Sequence, residues 1–305
     1  MKITAQHLRA LVAVVDTGSF TAAAHTLGIS QSAVSHALAS LERELGGAVV
    51  TREAPLNPTA LGARILPHAR TAIAAIEGVE IAARGDLSLT GTVRLGAVPT
   101  VCQGLVPELL EQWQGALPGV RVEVIEGDDD EMPVWLENGF VDAAVLVDPD
   151  GIPEGAKLVA IDEFAAVIRP DHPLADVPAI PLDELAEDGM VVTTGGCETY
   201  VRSMYEAAGL DFVARHRVRE MSTMFAMVER GFGVSLVPTL GRGLVPDGVI
   251  MRPIVEPRAR RLVLAVPAGR EPHPIAVALV DAASSRPHDA ADLRSAAPAG
   301  FGGAP

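Results

Sequence analysis

The chain has 305 residues, 21% charged and 49% hydrophobic, with a formal net charge of −15. That length holds two or three domains, and that balance excludes a disordered chain. Two cysteines, Cys102 and Cys197, exclude a disulfide framework, and no apolar run approaches the roughly 20 residues of a membrane-spanning helix.

The N-terminus, MKITAQHLRALVAVVD, is amphipathic and carries Asp16, unlike a secretion signal, so the expected home is a reducing cytoplasm with no membrane partner. Up to Arg70 the charges sum to +2, which leaves −17 for the remainder. A mildly basic head on an acidic body permits nucleic acid at one end and repels it elsewhere.

Leu8, Leu11, Val12 and Val15 fall at helical spacing, with Thr4 as N-cap and Gly18 as stop. Ala22, Ala23, Ala24 and Leu27 suit a second short helix ended by Gly28. Ser30 then caps a third, whose buried stripe is Val34, Leu38, Leu41 and Leu45, stopped at Gly46-Gly47. The alanines let helices cross closely, although a plain three-helix bundle has the same periodicity. Thr59 caps a long helix to about Arg84, with Leu61, Ile65, Ala69, Ile73, Ile76 and Ala83 in steps of mostly three or four and Pro67 within it. That stripe predicts packing against a second copy. RGDLSLTG, from Arg84 to Gly91, reads as a hinge.

From Thr92 short apolar runs alternate with helical stretches, the pattern of an α/β fold. The expected strands are TVRLGAV, VRVEVI, AAVLV, EFAAVI, MVVTT, GVSLVP and RLVLAV. The expected helices lie near Leu105–Gln114, Met132–Asn138, Thr199–Ala208, Met221–Arg230 and Pro274–Ala283. Two strand-to-helix loops, VPTVCQG and TTGGCETY, each contain a cysteine, and the amides around Gly195 and Gly196 can form an anion nest. The same loops also read as ordinary turns with capping threonines. In EGDDDEMP, Asp128 or Asp129 is expected to cap the next helix with the rest solvated, ahead of a cation site or a rim that repels anions. The tail at 286–305, rich in Ala, Gly and Pro, is expected to be disordered.

LRALVAVVDTGSFTAAAHTLGISQSAVSHALASLERELG closely resembles the DNA-binding domain of LysR-type transcriptional regulators, and the likeness continues through VVTREAPLNPTALGARILPHA. LENGFVDAAV, AMVERGFGVSLVP and RPDHPL resemble that family's effector domain, itself like periplasmic binding proteins. The resemblance implies a winged helix-turn-helix at 1–58, a linker helix and hinge at 59–90, and an effector domain at 91–285. Lobe one would hold about 91–159 and 267–285, and lobe two about 160–266. It implies an antiparallel pair of linker helices, a homodimer or homotetramer, and RNA polymerase as a further partner.

On the third helix Gln31, Ser32, Ser35 and His36 then face the major groove of double-stranded DNA, where short polar side chains permit deep entry. Ser19, Thr21 and Ser30 stand at helix starts whose amides meet phosphates, and Arg52 is the wing's cation. Ser32 stands where the family often has proline and His36 where it often has arginine. Arg52 has Glu53 beside it, in a wing that often carries several basic residues. Fewer phosphate contacts and a shallow salt dependence follow. By that resemblance Thr100 and the loop around Thr194 correspond to positions that often touch the effector. With their neighbours Val101, Cys102, Gly195, Gly196 and Cys197, and with Thr223 near Ser222, they are the candidate ligand contacts.

Two other classes compete. An α/β enzyme would use Cys197 with His172 or His216, yet no spacing singles out either histidine. A solute-binding protein leaves the helix-turn-helix unexplained. A redox regulator using Cys102 and Cys197 is the alternative within the class. The expectation is a ligand-responsive transcription factor, not an enzyme, with no cofactor or metal, that reads an inverted repeat at a promoter and binds a small molecule between two lobes.

Overall fold

The computed structural model describes residues 2–53, 55–84 and 89–285. The expected tail at 286–305 and the hinge centre at 85–88 lie outside them. Three helices open the chain: α1 (Ala5–Thr17), α2 (Phe20–Leu27) and α3 (Gln31–Leu45). Thr4 Oγ1 accepts the His7 amide at 3.3 Å while the His7 ring accepts the Thr4 amide at 3.4 Å, a reciprocal cap that satisfies two orphan donors. Ser30 Oγ accepts the Ala33 amide at 3.2 Å and starts α3. Gly28, at φ +65°, turns the chain sharply between α2 and α3, a conformation that costs other residues more.

The face of α1 that packs most deeply is Ala10, Leu11, Ala13 and Val14, whereas Leu8, Val12 and Val15 flank it half-buried. Helix α1 contacts α2, α3 and the linker helix at once, so its buried sector is wider than one stripe. Ala23, Ala24, Val34, Ala37, Leu38 and Leu41 complete this core. Small side chains here permit the close crossing of α2 and α3. Val50 pairs antiparallel with Pro58 at the wing's base, and the Thr51 amide donates to the Asn57 carbonyl at 2.8 Å.

The linker helix α4 (Ala60–Arg84) is capped by Thr59, whose Oγ1 accepts the Gly62 amide at 3.1 Å, and is helical through Pro67. Its stripe corrects the expectation. Leu61, Ile65 and Ala69 pack into the head's own core, and Ile81 packs on the effector domain. Ile73 and Ile76 are half-buried and Val79 is 70% exposed, so only this middle stretch is left for another copy.

The effector domain is built on a seven-stranded sheet of order β2-β1-β3-β9-β4-β7, with β8 also on β4. Its strands are β1 (Gly91–Ala97), β2 (Val120–Glu126), β3 (Ala143–Val147), β4 (Lys157–Ile168), β7 (Ser235–Pro238), β8 (Ile250–Pro253) and β9 (Ala259–Ala265). β5 (Met190–Thr193) and β6 (Ala214–Val218) form a parallel pair beside it. The helices are α5 (Pro99–Gly104), α6 (Val106–Ala116), α7 (Glu131–Glu137), α8 (Leu182–Leu185), α9 (Cys197–Ala207), α10 (Met221–Glu229) and α11 (Pro274–Ala282).

Separate cores define two lobes. Leu95, Val101, Leu109, Trp113, Val145 and Leu279 belong to the first, and Phe164, Ile180, Leu185, Val192 and Tyr205 to the second. β4 crosses between them: Leu158–Glu163 pair with β9, and Phe164–Ile168 with β7 and β8. The return crossing falls earlier than expected. Leu262 and Leu264 already pack in the first core, because β9 pairs with β3.

Candidate DNA interface and effector cleft

Gln31, Ser32, Ser35 and His36 are all exposed on α3, with buried Val34, Ala37 and Leu38 behind them. The Ser32 hydroxyl lies 2.9 Å from that of Ser30, so its hydrogen bonding is shared with the cap. The first acidic residue of α3, Glu42, accepts the Val49 amide at 2.9 Å and is thereby held at the wing's base. Ser19 caps α2 without a side-chain bond, leaving its hydroxyl free of that duty, and Thr21 and Arg52 are exposed. The face offered by α3 is therefore polar and uncharged over its first three turns. Such a face gains from donors and acceptors matched to base edges rather than from attraction at a distance.

Between the lobes the chemistry is different. Arg260, 2% exposed, forks onto Asp162, itself 3% exposed, through Nε at 2.6 Å and Nη2 at 2.9 Å. Its Nη2 also donates to Thr100 Oγ1 at 2.9 Å, and the Leu240 amide donates to Asp162 Oδ2 at 3.3 Å. A buried pair of this kind holds only because its remaining polar atoms are bonded too. Alternation placed both residues: Arg260 shares a strand face with Leu262 and Leu264, and Asp162 shares one with Ala160 and Phe164.

The acidic segment corrects the sequence expectation. Asp130, not Asp128 or Asp129, occupies the cap position of α7, and it makes no side-chain capping bond. Asp128 and Asp129 lie instead against the diglycine loop. A Cβ on Gly195 would stand 2.3 Å from Asp128 Oδ1, and one on Gly196 2.2 Å from Asp129 Oδ2. Only glycine admits this approach, and Gly196 is also at φ +76°. Asp129 Oδ1 is buried without a hydrogen-bond partner among the described residues. Burial pushes the Asp129 carboxyl up to about 6, with Arg260 opposing the rise and Asp128 and Asp130 reinforcing it.

Outside this closed layer is a cavity of about 630 Å³, lined on one side by Cys102, Gln103, Glu126 and Glu131 and on the other by Arg219, Glu220 and Ser222. Thr100 thus sits at the buried pair and Cys102 at the cavity, where burial pushes its thiol up to about 12 with Glu126 adding to the rise. Val101 does not face the cleft, because its side chain fills the first core. Cys197, the first residue of α9, has its thiol pushed up by burial, which outweighs the lowering by Arg260 and Thr193. Thr194 is exposed and its amide donates to Val218 at 3.0 Å. Thr223 is exposed on α10, and its neighbour Ser222 is the one that lines the cavity. Arg260 and Asp162 escaped sequence reasoning, and Asp129 was read there as a cap or a solvated carboxylate. The signal for the first two was a charged residue in line with a strand's buried face.

A three-helix head with an exposed, uncharged polar face, a long helix, and two lobes around a polar cleft define the architecture of a DNA-binding head joined to an α/β domain. Residues 5–63 match the model of bacterial regulatory helix-turn-helix proteins of the lysR family, and residues 87–286 match the LysR substrate binding domain. The chain belongs to the LysR family and is a DNA-binding transcriptional regulator. It is 31% identical over 274 residues to the uncharacterized regulator YvbU of Bacillus subtilis (strain 168), covering 88% of this chain and 94% of that protein. It is 33% identical over 237 residues to a probable hydrogen peroxide-inducible genes activator of Mycobacterium leprae (strain TN), covering 76% of each. Among solved structures, a full-length OxyR variant from Pseudomonas aeruginosa aligns with a TM-score of 0.73 at 23% identity, covering 92% of this chain and 95% of that one. Full-length CbnR in complex with its target DNA aligns at 0.63 and 20% identity, covering 92% and 98%. No described helix is long and apolar enough to cross a membrane.

Proposed function

We propose that two heads of this regulator, held by paired linker helices in a homodimer or homotetramer, read the halves of an inverted repeat in successive major grooves. Gln31, Ser35 and His36 supply base contacts, with Ser32 beside them. Ser19, Thr21, Ser30 and Arg52 meet phosphates. The exposed, uncharged face of α3 supports this assignment. Footprinting on a bound duplex is expected to show two protected major-groove faces about one helical turn, or a multiple of it, apart. A single protected face would remove the paired-head reading. The cytoplasm, beside the DNA and RNA polymerase, is the compartment in which such a protein acts.

The effector enters the cavity of about 630 Å³ and engages the layer of Thr100, Asp129 and the diglycine loop behind it. The observation that carries this reading is the buried Asp129 oxygen without a partner at the lobe contact. With Glu126, Glu131 and Glu220 on the rim against Arg219, the cleft favours a neutral or cationic molecule with hydrogen-bond donors. That reverses the anion preference read from the diglycine nest alone. Thermal shift of the purified protein against matched small amines, amides and carboxylates tests it, and stabilisation by carboxylates alone would contradict it.

The relatives named as hydrogen peroxide-inducible activators favour a second reading, in which oxidation of Cys102 and Cys197 is the signal. Burial raises the pKa of both thiols and opposes that, since the thiolate is the reactive form. Alkylation of Cys197 at neutral pH at the rate of a free low-pKa thiol would favour the second reading over the first.

A further inference from the structure

Where head, linker helix and lobe one meet, three residues far apart in sequence share one charged hub around the buried Arg70. Asp16, at the end of α1, pairs with Arg70 of α4 through Oδ1, and its Oδ2 accepts Arg94 Nη1 of β1 at 3.2 Å. Arg94 continues the network into lobe one: its amide donates to Asp142 Oδ2 at 2.9 Å, and its Nη2 to the Gly139 carbonyl at 3.0 Å. Arg70 is 6% exposed, lies over the Phe140 ring at 5.1 Å, and reaches the same carbonyl at 3.4 Å.

The hub stands at the roots of the two strands that run to the cleft. Arg94 lies about 10 Å of strand before the end of β1, after which Thr100 receives Arg260. Asp142 immediately precedes β3, which leads to Asp148, whose Oδ1 accepts the Arg261 amide of β9 at 2.7 Å. A cavity of about 640 Å³ opens beside the hub between the head and lobe one, room into which the head can tilt.

We infer that the Asp16–Arg70–Arg94 hub is the joint that fixes the angle of the DNA-binding head on its own effector domain and passes changes in the cleft to it. The trigger rests on the cleft reading above, but the joint does not, so it is tested without any effector. A charge network with fork geometry suits this role, because it holds in few arrangements and loss of Asp16 leaves the buried Arg70 without its carboxylate. Asp16 and Arg94 are the members to vary, their side chains being 25% and 23% exposed, whereas Arg70 is too deeply buried to remove safely.

The test is a cycle of full-length Asp16→Asn, Arg94→Gln and the double variant. DNA affinity is measured on a selected duplex, and small-angle scattering is recorded on the DNA-free protein. Each single change is expected to weaken DNA binding about tenfold and to enlarge the radius of gyration, with the double variant no worse than either single. Folded single variants with unchanged affinity and scattering would overturn the joint. So would losses that multiply in the double, because Asp16 and Arg94 would then act separately. Should Arg94→Gln not fold, Arg94→Lys replaces it under the same criteria, since an ammonium cannot hold Asp16, Asp142 and the Gly139 carbonyl together. A cleft that binds no small molecule would leave these outcomes unaffected.

Discussion

In the head, every residue assigned to DNA lies between Ser19 and Arg52, and the charged Glu42 is tied away at the wing's base. In the cleft, Arg260 meets partners 98 and 160 residues away in sequence and nearly all of its charge is buried. The head presents a face whose side chains make few bonds within the protein, so its substitutions should change recognition and spare the fold. Behind the cleft Arg260, Asp162 and Thr100 spend their polar groups on each other, so substitutions there should change the fold first. One region is read outward and the other inward.

The largest expected effect lies in the cleft. Asp162→Ala leaves the Arg260 guanidinium buried without its carboxylate, which costs about 3–5 kcal/mol. Denaturant unfolding reads that loss directly. A loss below about 1 kcal/mol would mean that Asp129 moves in to replace the missing partner, and the inward-facing account would break.

Next is the pH dependence that Asp129 brings. Its folded pKa, about 6, stands above the ordinary carboxylate value of 3.8, so the protonated form is the one the fold prefers. The contribution is fully present below about 4 and is lost as pH rises through about 6, on the order of 2–3 kcal/mol. Asp129→Asn should flatten this part of the stability profile, which thermal melting across pH 4 to 8 measures. An unchanged profile would show that another group titrates.

The head's effects are smaller and of another kind. Gln31→Ala should cost about 1–3 kcal/mol of discrimination at one base pair while the melting temperature stays as in the wild type. Competition binding against single-base variants of the duplex checks this. A fall in melting temperature instead would give Gln31 a structural role. Smallest is Arg52→Ala, expected to reduce the slope of log affinity against log salt by about one per head. An unchanged slope would remove Arg52 from the phosphate contacts.

The same contrast explains what the sequence revealed. The helix caps Thr4, Ser30 and Thr59 and the buried residues Val34, Leu38 and Leu41 were legible because each depends on neighbours within a few turns. β6 and β8 were missed: ARHRV and IMRP show no run of apolar residues, and their pairing to β5 and β4 is what makes them strands. Half of β4 was missed because the apolar run of KLVAID is only four residues long, and its pairing with β9 is what makes it a strand. The intrachain packing of α4 was missed because its partners, α1 and the first effector core, lie far away in sequence. Asp129 reads as solvated or capping until the diglycine loop, brought from lobe two, covers it.

The central claim is that an almost uncharged helix reads DNA by base-edge contact. Selection of bound sequences from random duplexes by the purified full-length protein, at two salt concentrations, tests it most directly. A two-fold-related motif enriched at both concentrations, with affinity falling only shallowly between them, is the predicted result. A folded protein that enriches no motif, or whose binding collapses steeply with salt without sequence preference, would contradict it.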